Sequence, residues 1–244
     1  MSDIMREYIS RILTLPDSSG IFLCTFSRFV YHRSMYIFLI ILAIALIVWI
    51  AGTLFVIRDI EEPKYTIIEQ REGYEIREYA SYIVAEVEVE GDMRTALNSG
   101  FRQLAGYIFG GNTSKTQVKM TVPVMDTTRQ GSETIAMTAP VTDTVSNSGK
   151  HIIAFTMPST YTLDTLPKPE NIQVHFRAIP PSKKAVLRYS WYATESGVEA
   201  KKNLLTDSLI RDGYKTRWEI ISAQYNPPLS FPLLRRNEVM VEVE

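Results

Sequence analysis

Two copies of the pattern Met-Thr-x-Pro-Val, at residues 120–124 and 137–141, contain side chains that could take part in chemistry. A methionine thioether can serve as an axial ligand to haem iron, so a pair of them could belong to an iron site. The neighbouring residues favour a structural role, because proline lacks a backbone N–H and suits a strand end, an edge or a bulge. A methionine between β-forming residues usually packs in a core. The repeat therefore indicates a fold more clearly than a reaction.

Two histidines, His151 and His175, are the other candidate ligands beyond the N-terminal region. His175 shares its strand face with Gln173 and Arg177, so we expect it at the surface. His151 begins a strand that is apolar on both faces, and it could reach the mouth of a pocket as a ligand. The sequence has no His-Glu-x-x-His motif, no nucleophile elbow and only one cysteine, Cys24. We therefore expect a binding protein and not an enzyme.

Tyrosines are frequent in the predicted strands and leave two interpretations open. They are β-forming residues that fit a half-buried sheet, and their rings could also line a site for a flat aromatic ligand. These residues are Tyr74, Tyr79, Tyr82, Tyr107, Tyr189, Tyr192 and Tyr225. The segment 110–116 does not predict a phosphate loop, because Ser114 stands where glycine is required and the segment follows a helix.

The most apolar segment of the chain is residues 34–57, which contain no charged side chain. As a helix these 24 residues would be roughly 36 Å long, enough to cross a hydrocarbon core of about 30 Å. A buried core helix and a cleaved signal peptide are the alternatives, but a signal peptide usually has a shorter apolar region. We expect a single-pass membrane anchor that contacts lipid, with residues 1–33 as an N-terminal tail and 58–64 as a linker.

The orientation of this anchor is weakly specified by charge. Arg28 and Arg33 precede the segment, but basic residues follow it as closely, and they are Arg58, Lys64, Arg71 and Arg77. A long folded domain can cross a membrane largely regardless of its charge. We expect a cytosolic N-terminus and an extracytoplasmic C-terminal domain.

Residues 65–244 contain two similar strand-then-helix units. Residues 82–90 alternate between apolar and acidic side chains, as in a half-buried strand, and Asp92 can cap the helix that follows. That helix has an apolar face made of Met93, Leu97, Phe101, Leu104, Ala105 and Ile108. About a hundred residues later a strand over 185–191 leads into a second helix, with a capping box at Ser196 and Glu199. The sequence predicts two related halves that share one sheet or barrel.

Several motifs in this region occur together in one known family. They are Tyr74-Glu75-Ile76-Arg77, the paired Met-Thr-x-Pro-Val, Met157-Pro158-Ser159, and Tyr225-Asn226-Pro227-Pro228 followed by Arg235-Arg236-Asn237-Glu238-Val239. In content and order they resemble the SOUL family of haem-binding proteins. The resemblance implies an α+β fold, a distorted antiparallel β-barrel with two flanking helices from two related halves. It also implies reversible, non-covalent binding of haem or another porphyrin.

The resemblance also implies candidate site residues. In some relatives a histidine proposed to bind iron follows the Tyr-Glu-Ile-Arg stretch, and Glu78 occupies that position here. Other relatives are thought to hold porphyrin by apolar contact along the first helix, which carries over to Leu97, Phe101 and Leu104. Arg102 or Arg94 could then meet the propionates. The alternative is that the same apolar stripe packs on the sheet.

Together these features predict a membrane-anchored, non-catalytic binder of haem or another tetrapyrrole, acting as a carrier, buffer or sensor. The alternative is a sensor or scaffold domain for other amphipathic ligands or protein partners, and an enzyme acting on tetrapyrroles is a third reading. A nucleic-acid partner is not expected, because the net charge is −1 and the basic residues are scattered among acidic ones.

Overall fold

The computed structural model describes residues 18–58, 60–113, 132–146, 148–216 and 219–244. The first Met-Thr-x-Pro-Val copy, at 120–124, and residues 1–17 of the predicted tail lie outside these described residues. The chain divides into two compact units, residues 1–51 and 52–244.

A single long helix, α1, covers Ser18–Ile57. It begins well before Ser34, where the sequence predicted the apolar helix to start, and no proline interrupts residues 18–57. Its segment Met35–Ile57 is long and apolar enough to cross a membrane, and its side chains are almost all exposed. A helix of this composition is compatible with a membrane span or with a signal sequence.

In its described residues the second unit contains eleven strands, two further α-helices and a short 3₁₀ helix at Pro232–Leu234. In chain order the strands and α-helices are β1 (Tyr65–Gln70), β2 (Glu75–Tyr79), β3 (Tyr82–Val89), α2 (Met93–Ile108), β4 (Asn112–Thr113), β5 (Val141–Val145), β6 (His151–Thr156), β7 (Lys168–Pro169), β8 (His175–Ile179), β9 (Ser182–Tyr189), α3 (Glu195–Arg211), β10 (Ile221–Gln224) and β11 (Asn237–Glu242). Nine strands form one antiparallel sheet in the order β1-β2-β9-β11-β10-β5-β6-β3-β8, and β4 pairs with β7. The sheet curls into a half-barrel, so the α+β prediction is confirmed.

The strand order shows the predicted duplication. In the first half β3 leads into α2 and then β5 and β6, and β6 lies between β5 and β3 in the sheet. In the second half β9 leads into α3, and β11 lies in the same way between β10 and β9. The halves join where β10 pairs with β5, and they also exchange strands, since β2 pairs with β9 and β8 pairs with β3.

Both helices pack on the same face of the sheet. α2 covers β3 and β6, where Leu104 and Ile153 are fully buried, and α3 covers β9 and β11 around Leu205. Asp92 caps α2, because its side chain accepts a hydrogen bond from the Thr95 N–H, and Thr194 caps α3 through the Gly197 N–H. Side chains alternate across a strand, so the neighbours of these core residues point to the opposite, concave face.

Candidate functional site

The four site residues predicted on α2 have different environments. Leu104 is fully buried in the core, and Leu97 is half-buried. Phe101 is 37% exposed, and its ring lies edge-on to that of Phe155 with centroids 5.3 Å apart. Arg102 is exposed. Only the edge of the stripe, at Phe101 and Arg102, is therefore accessible to a ligand.

α2 lies close against the sheet. A Cβ added to Gly100 would be 2.5 Å from Cγ1 of Ile153 on β6, so the helix backbone approaches that side chain directly. Glycine permits this approach because it has no side chain. The two cavities described below have no α2 residue in their linings.

The other two predicted site residues lie apart from each other. Glu78 is exposed on β2, opposite Lys183 of β9 in the strand register. His151 is only 9% exposed on β6, and its Nδ1 is 2.7 Å from Oδ1 of Asp143. Burial raises the pKa of the Asp143 carboxyl, and the hydrogen bond with His151 acts against that rise. His151 is thus a partner in a buried pair on the helix side of the sheet.

The concave face lines an open cavity of about 920 Å³. Its volume falls within the range of about 300–1,000 Å³ that is typical of small-molecule sites. The apolar and aromatic residues of its lining are Pro63, Tyr79, Tyr82, Val84, Pro140, Ile152, Ala154, Ile179, Pro180, Ile221, Tyr225 and Met240. A second cavity of about 440 Å³ shares Pro63, Tyr82 and Thr156 with this lining. The tyrosine-rich strands thus surround a space large enough for a flat organic ligand.

A buried lysine lines this cavity. Lys184 is 4% exposed, and its Nζ donates a hydrogen bond to the hydroxyl of Tyr82 at 2.9 Å. The ammonium also lies over the rings of Tyr79 and Tyr82, 5.3 and 5.4 Å from their centroids. Within the described residues no carboxylate oxygen lies within 4.0 Å of Nζ, although Glu242 is its cross-strand neighbour. A buried cation without a close anion is costly, so this position favours an anionic ligand group.

A buried polar network supports one wall of the cavity. Glu238 is fully buried, and both its carboxylate oxygens lie 3.1 Å from Nη1 of Arg77. It also accepts hydrogen bonds from the Tyr225 hydroxyl at 2.7 Å and from Nε of Arg236 at 2.9 Å. Burial, together with the negative charge of Glu238, raises the pKa of Tyr79 to about 12. The network fixes the positions of Tyr79 and Tyr225, which both face the cavity.

The lining is better suited to contact with the porphyrin ring of a haem than to coordination of the haem iron. In the described part of the lining there is no histidine or cysteine, and Met240 offers the only thioether. The raised pKa values of Tyr79 and Tyr225 disfavour the phenolate form that would bind iron strongly. The described residues also contain no group of three or more His, Cys, Asp or Glu side chains placed to hold a metal ion. A macrocycle would be held here by its faces and its carboxylates.

Sequence reasoning missed Lys184. In the segment Ser182–Tyr189 two adjacent lysines precede the apolar run Ala-Val-Leu, and such lysines are usually solvated. The sequence signal for this site was the frequency of tyrosines in the predicted strands, whose rings could line a site for a flat aromatic ligand.

The curled antiparallel sheet thus carries helices on one face and a cavity of ligand size on the other. The chain belongs to the SOUL heme-binding protein family, whose pattern matches residues 60–242. The family predicted from the motifs is therefore confirmed, and the apolar helix precedes the matched region. No curated protein matches the chain significantly.

Solved structures show distant similarity of fold. The C-terminal domain of EcmrR is 10% identical with a TM-score of 0.46, covering 74% of this chain and 98% of that one. A hydrolase from Listeria innocua is 9% identical with a TM-score of 0.43, covering 72% and 94%. SAV2435 bound to tetraphenylphosphonium is 11% identical with a TM-score of 0.41, covering 71% and 94%. Similarities this remote indicate no function.

Proposed function

We propose that this protein is a membrane-anchored, non-catalytic binder of haem or another tetrapyrrole, and that the ligand occupies the concave cavity. Membership of a heme-binding family supports the ligand class. The choice of site rests on Lys184, which is buried at a cavity of about 920 Å³ lined mainly by aromatic and aliphatic side chains. Among the described residues no carboxylate oxygen lies within 4.0 Å of its Nζ.

The cavity matches the two parts of a natural tetrapyrrole. Its flat apolar ring system suits the rings of Tyr79, Tyr82 and Tyr225 and the aliphatic side chains beside them. Its carboxylate side chains suit Lys184, whose ammonium has donors left after the bond to Tyr82. When haem is bound, it supplies an iron and a porphyrin ring that absorbs visible light, while the protein supplies shape, apolar contact and the cations Lys184 and Arg177.

The residues predicted on the helix side form a second proposed contact surface. Phe101 and Arg102 are its accessible members, beside the half-buried Leu97 and the buried Leu104. Glu78 and His151 stay candidate contacts, although neither residue belongs to the lining of the concave cavity.

Membrane anchoring through residues 34–57 is part of the proposal. The length and exposure of Met35–Ile57 support a span that contacts lipid. We propose an extracytoplasmic C-terminal domain, because a folded domain can be exported whatever its loop charges. Protease added to sealed vesicles from expressing cells should digest the domain from one side only, and the digested side gives the orientation.

A haem titration of the full-length chain in nanodiscs tests the ligand and the site together. We expect a saturable shift of the Soret band with about one haem per chain, as for a single cavity. Lys184→Met keeps the aliphatic stem but removes the charge, and it should weaken binding about 10- to 100-fold if a charged hydrogen bond of about 1.5–3 kcal/mol is lost. Lys183→Met is the matched control, because Lys183 is exposed and adjacent in sequence.

Three outcomes of this titration are distinguishable. Absence of a saturable shift would rule out tetrapyrrole binding. Saturable binding that is insensitive to Lys184→Met but weakened by Phe101→Ala and Arg102→Gln would place the ligand on the helix side. Binding weakened only by Lys184→Met supports the concave cavity.

A second candidate function is a sensor for amphipathic cations. Glu219 and Glu242 also line the cavity, and carboxylates suit a lipophilic cation. In that case Glu242→Gln would weaken binding of a lipophilic cation, and haem would bind without saturation.

A further inference from the structure

Four large side chains are exposed on two neighbouring loops of the second unit. Trp191 is 54% exposed and Tyr192 45% on the β9–α3 loop, and Leu229 is 87% and Leu233 62% exposed on the β10–β11 loop. We call these four residues the aromatic rim. Isolated exposed apolar residues are common, but a group of this size at one place marks a contact surface.

Hydrogen bonds and ring contacts hold the two loops together. The Trp191 N–H donates to the carbonyl of Pro232 at 3.0 Å, and the Asn237 side-chain amide donates to the carbonyl of Trp191 at 2.8 Å. The guanidinium of Arg235 lies 4.8 Å from the ring centroid of Tyr192. The aromatic rim is therefore one structured surface and not two independent loops.

The backbone of Trp191 is strained. Its φ angle is 82°, and no other non-glycine residue among those that the structure describes has a positive φ. A bulky side chain rarely adopts this conformation, so the surrounding hydrogen bonds must maintain it. The indole of this residue is 54% exposed, so much of its apolar surface faces solvent.

The β10–β11 loop, which carries Leu229 and Leu233 of the aromatic rim, is hydrogen-bonded to Thr53. The Phe231 N–H donates to Oγ1 of Thr53 at 2.9 Å, and Thr53 is 5% exposed. Thr53 belongs to the same compact unit as the sheet and lies in the last turns of α1. If residues 34–57 span a membrane, Thr53 lies near its C-terminal surface, and the loop bonded to it lies there too.

We propose that the aromatic rim inserts into the headgroup region of a phospholipid bilayer on the side where α1 ends. Trp and Tyr are enriched at this depth because their rings combine an apolar body with a polar group, and Arg235 can meet lipid phosphates. The β9–α3 and β10–β11 loops thereby form a second membrane contact, which sets the orientation of the binding domain on the membrane surface. This inference rests on the membrane anchoring proposed above.

Depth-dependent fluorescence quenching tests it in the full-length chain. Two single-tryptophan variants are reconstituted into bilayers with brominated lipids, one keeping Trp49 (Trp191→Phe, Trp218→Phe) and one keeping Trp191 (Trp49→Phe, Trp218→Phe). Trp49 lies inside the span Met35–Ile57 and should be quenched most by bromines deep in the acyl chains. Trp191 should be quenched most by bromines placed nearest the headgroups. Leu233→Asp should reduce the Trp191 quenching, whereas Ile172→Asp, at a residue that is 87% exposed on another loop, should not.

The two proposals fail in different ways. Quenching of Trp49 without quenching of Trp191 would overturn the insertion of the aromatic rim and leave the anchor intact. If neither tryptophan is quenched, both the anchor and the insertion are wrong. Equal loss of Trp191 quenching in Leu233→Asp and Ile172→Asp would also overturn the insertion, because the effect would not depend on the rim.

Discussion

Arg77 and Glu238 form a buried ion pair between strands that are not neighbours in the sheet. β9 lies between β2 and β11, yet Nη1 of Arg77 is 3.1 Å from each carboxylate oxygen of Glu238. Arg77 is 2% exposed and Glu238 is fully buried. The pair therefore crosses the concave face and links the first half of the domain to the last strand. Both residues belong to the motifs by which the family was recognised.

Removing the Arg77 charge should destabilise the domain. Arg77→Met leaves Glu238 buried with Arg236 and Tyr225 as its remaining donors, and breaking a buried pair in this way costs about 3–5 kcal/mol. Urea unfolding of the full-length chain in detergent measures the loss. Arg177→Met is the control, because the side chain of Arg177 is 56% exposed in its pair with Glu86 and should contribute about 1 kcal/mol or less. Equal losses in the two variants would contradict the structural role of the pair.

The buried phenol of Tyr79 should make the domain sensitive to alkali. Burial and the charge of Glu238 raise its pKa from the ordinary 10.0 to about 12. Between these values the unfolded chain releases the phenolic proton and the folded chain retains it, so stability falls as pH rises. The contribution of Tyr79 to the free energy of unfolding should be constant below about pH 10 and should decline towards pH 12. Tyr79→Phe should reduce the decline in a series of urea unfolding curves, and an unchanged slope would show that Tyr79 ionises normally.

The sequence predicted the helices and the duplication because both depend on local patterns. The apolar spacing of α2 identified Met93, Leu104 and Ile108 as a buried face, and all three are buried. The pairing of β2 with β9 and of β8 with β3, by which the halves exchange strands, could not be predicted from local patterns. Strand pairing joins residues that are far apart in the chain. α1 also extends to Ser18, well before the apolar run that begins at residue 34, because the end of an apolar run does not end a helix.

The candidate site was harder to predict for a related reason. A face of a strand can be read from alternation, but the curvature that turns one face into a cavity depends on the whole sheet. Lys184 has the sequence context of a solvated lysine, but the curl of the sheet brings Tyr79 of β2 and Tyr82 of β3 against its ammonium group. The apolar edge at Phe101 was visible in the sequence, but the close approach of α2 to the sheet required the position of Gly100 relative to Ile153.

The contact between Gly100 and Ile153 gives the sharpest test of how α2 lies on the sheet. Gly100→Ala places a methyl group within 2.5 Å of the Ile153 side chain, and such overpacking costs about 1–3 kcal/mol, more than the roughly 1 kcal/mol that alanine contributes in a helix. Gly106→Ala is the matched control in the same helix, because nothing lies within 4 Å of its added Cβ. Urea unfolding should show Gly106→Ala to be stabilising by about 0.5–1 kcal/mol and Gly100→Ala to be neutral or destabilising.

A double-mutant cycle then identifies the contact responsible. Ile153→Ala removes the Cγ1 and Cγ2 atoms that lie 2.5 and 3.1 Å from the added Cβ but keeps the Ile153 Cβ at 2.6 Å, so the cost of Gly100→Ala should fall in part in the Gly100→Ala/Ile153→Ala background. Strict additivity of the two changes would mean that the Cγ atoms of Ile153 contribute nothing to that cost. Stabilisation by Gly100→Ala equal to that by Gly106→Ala would mean that a gap separates α2 from the sheet, and a ligand could then enter on the helix side beside Phe101.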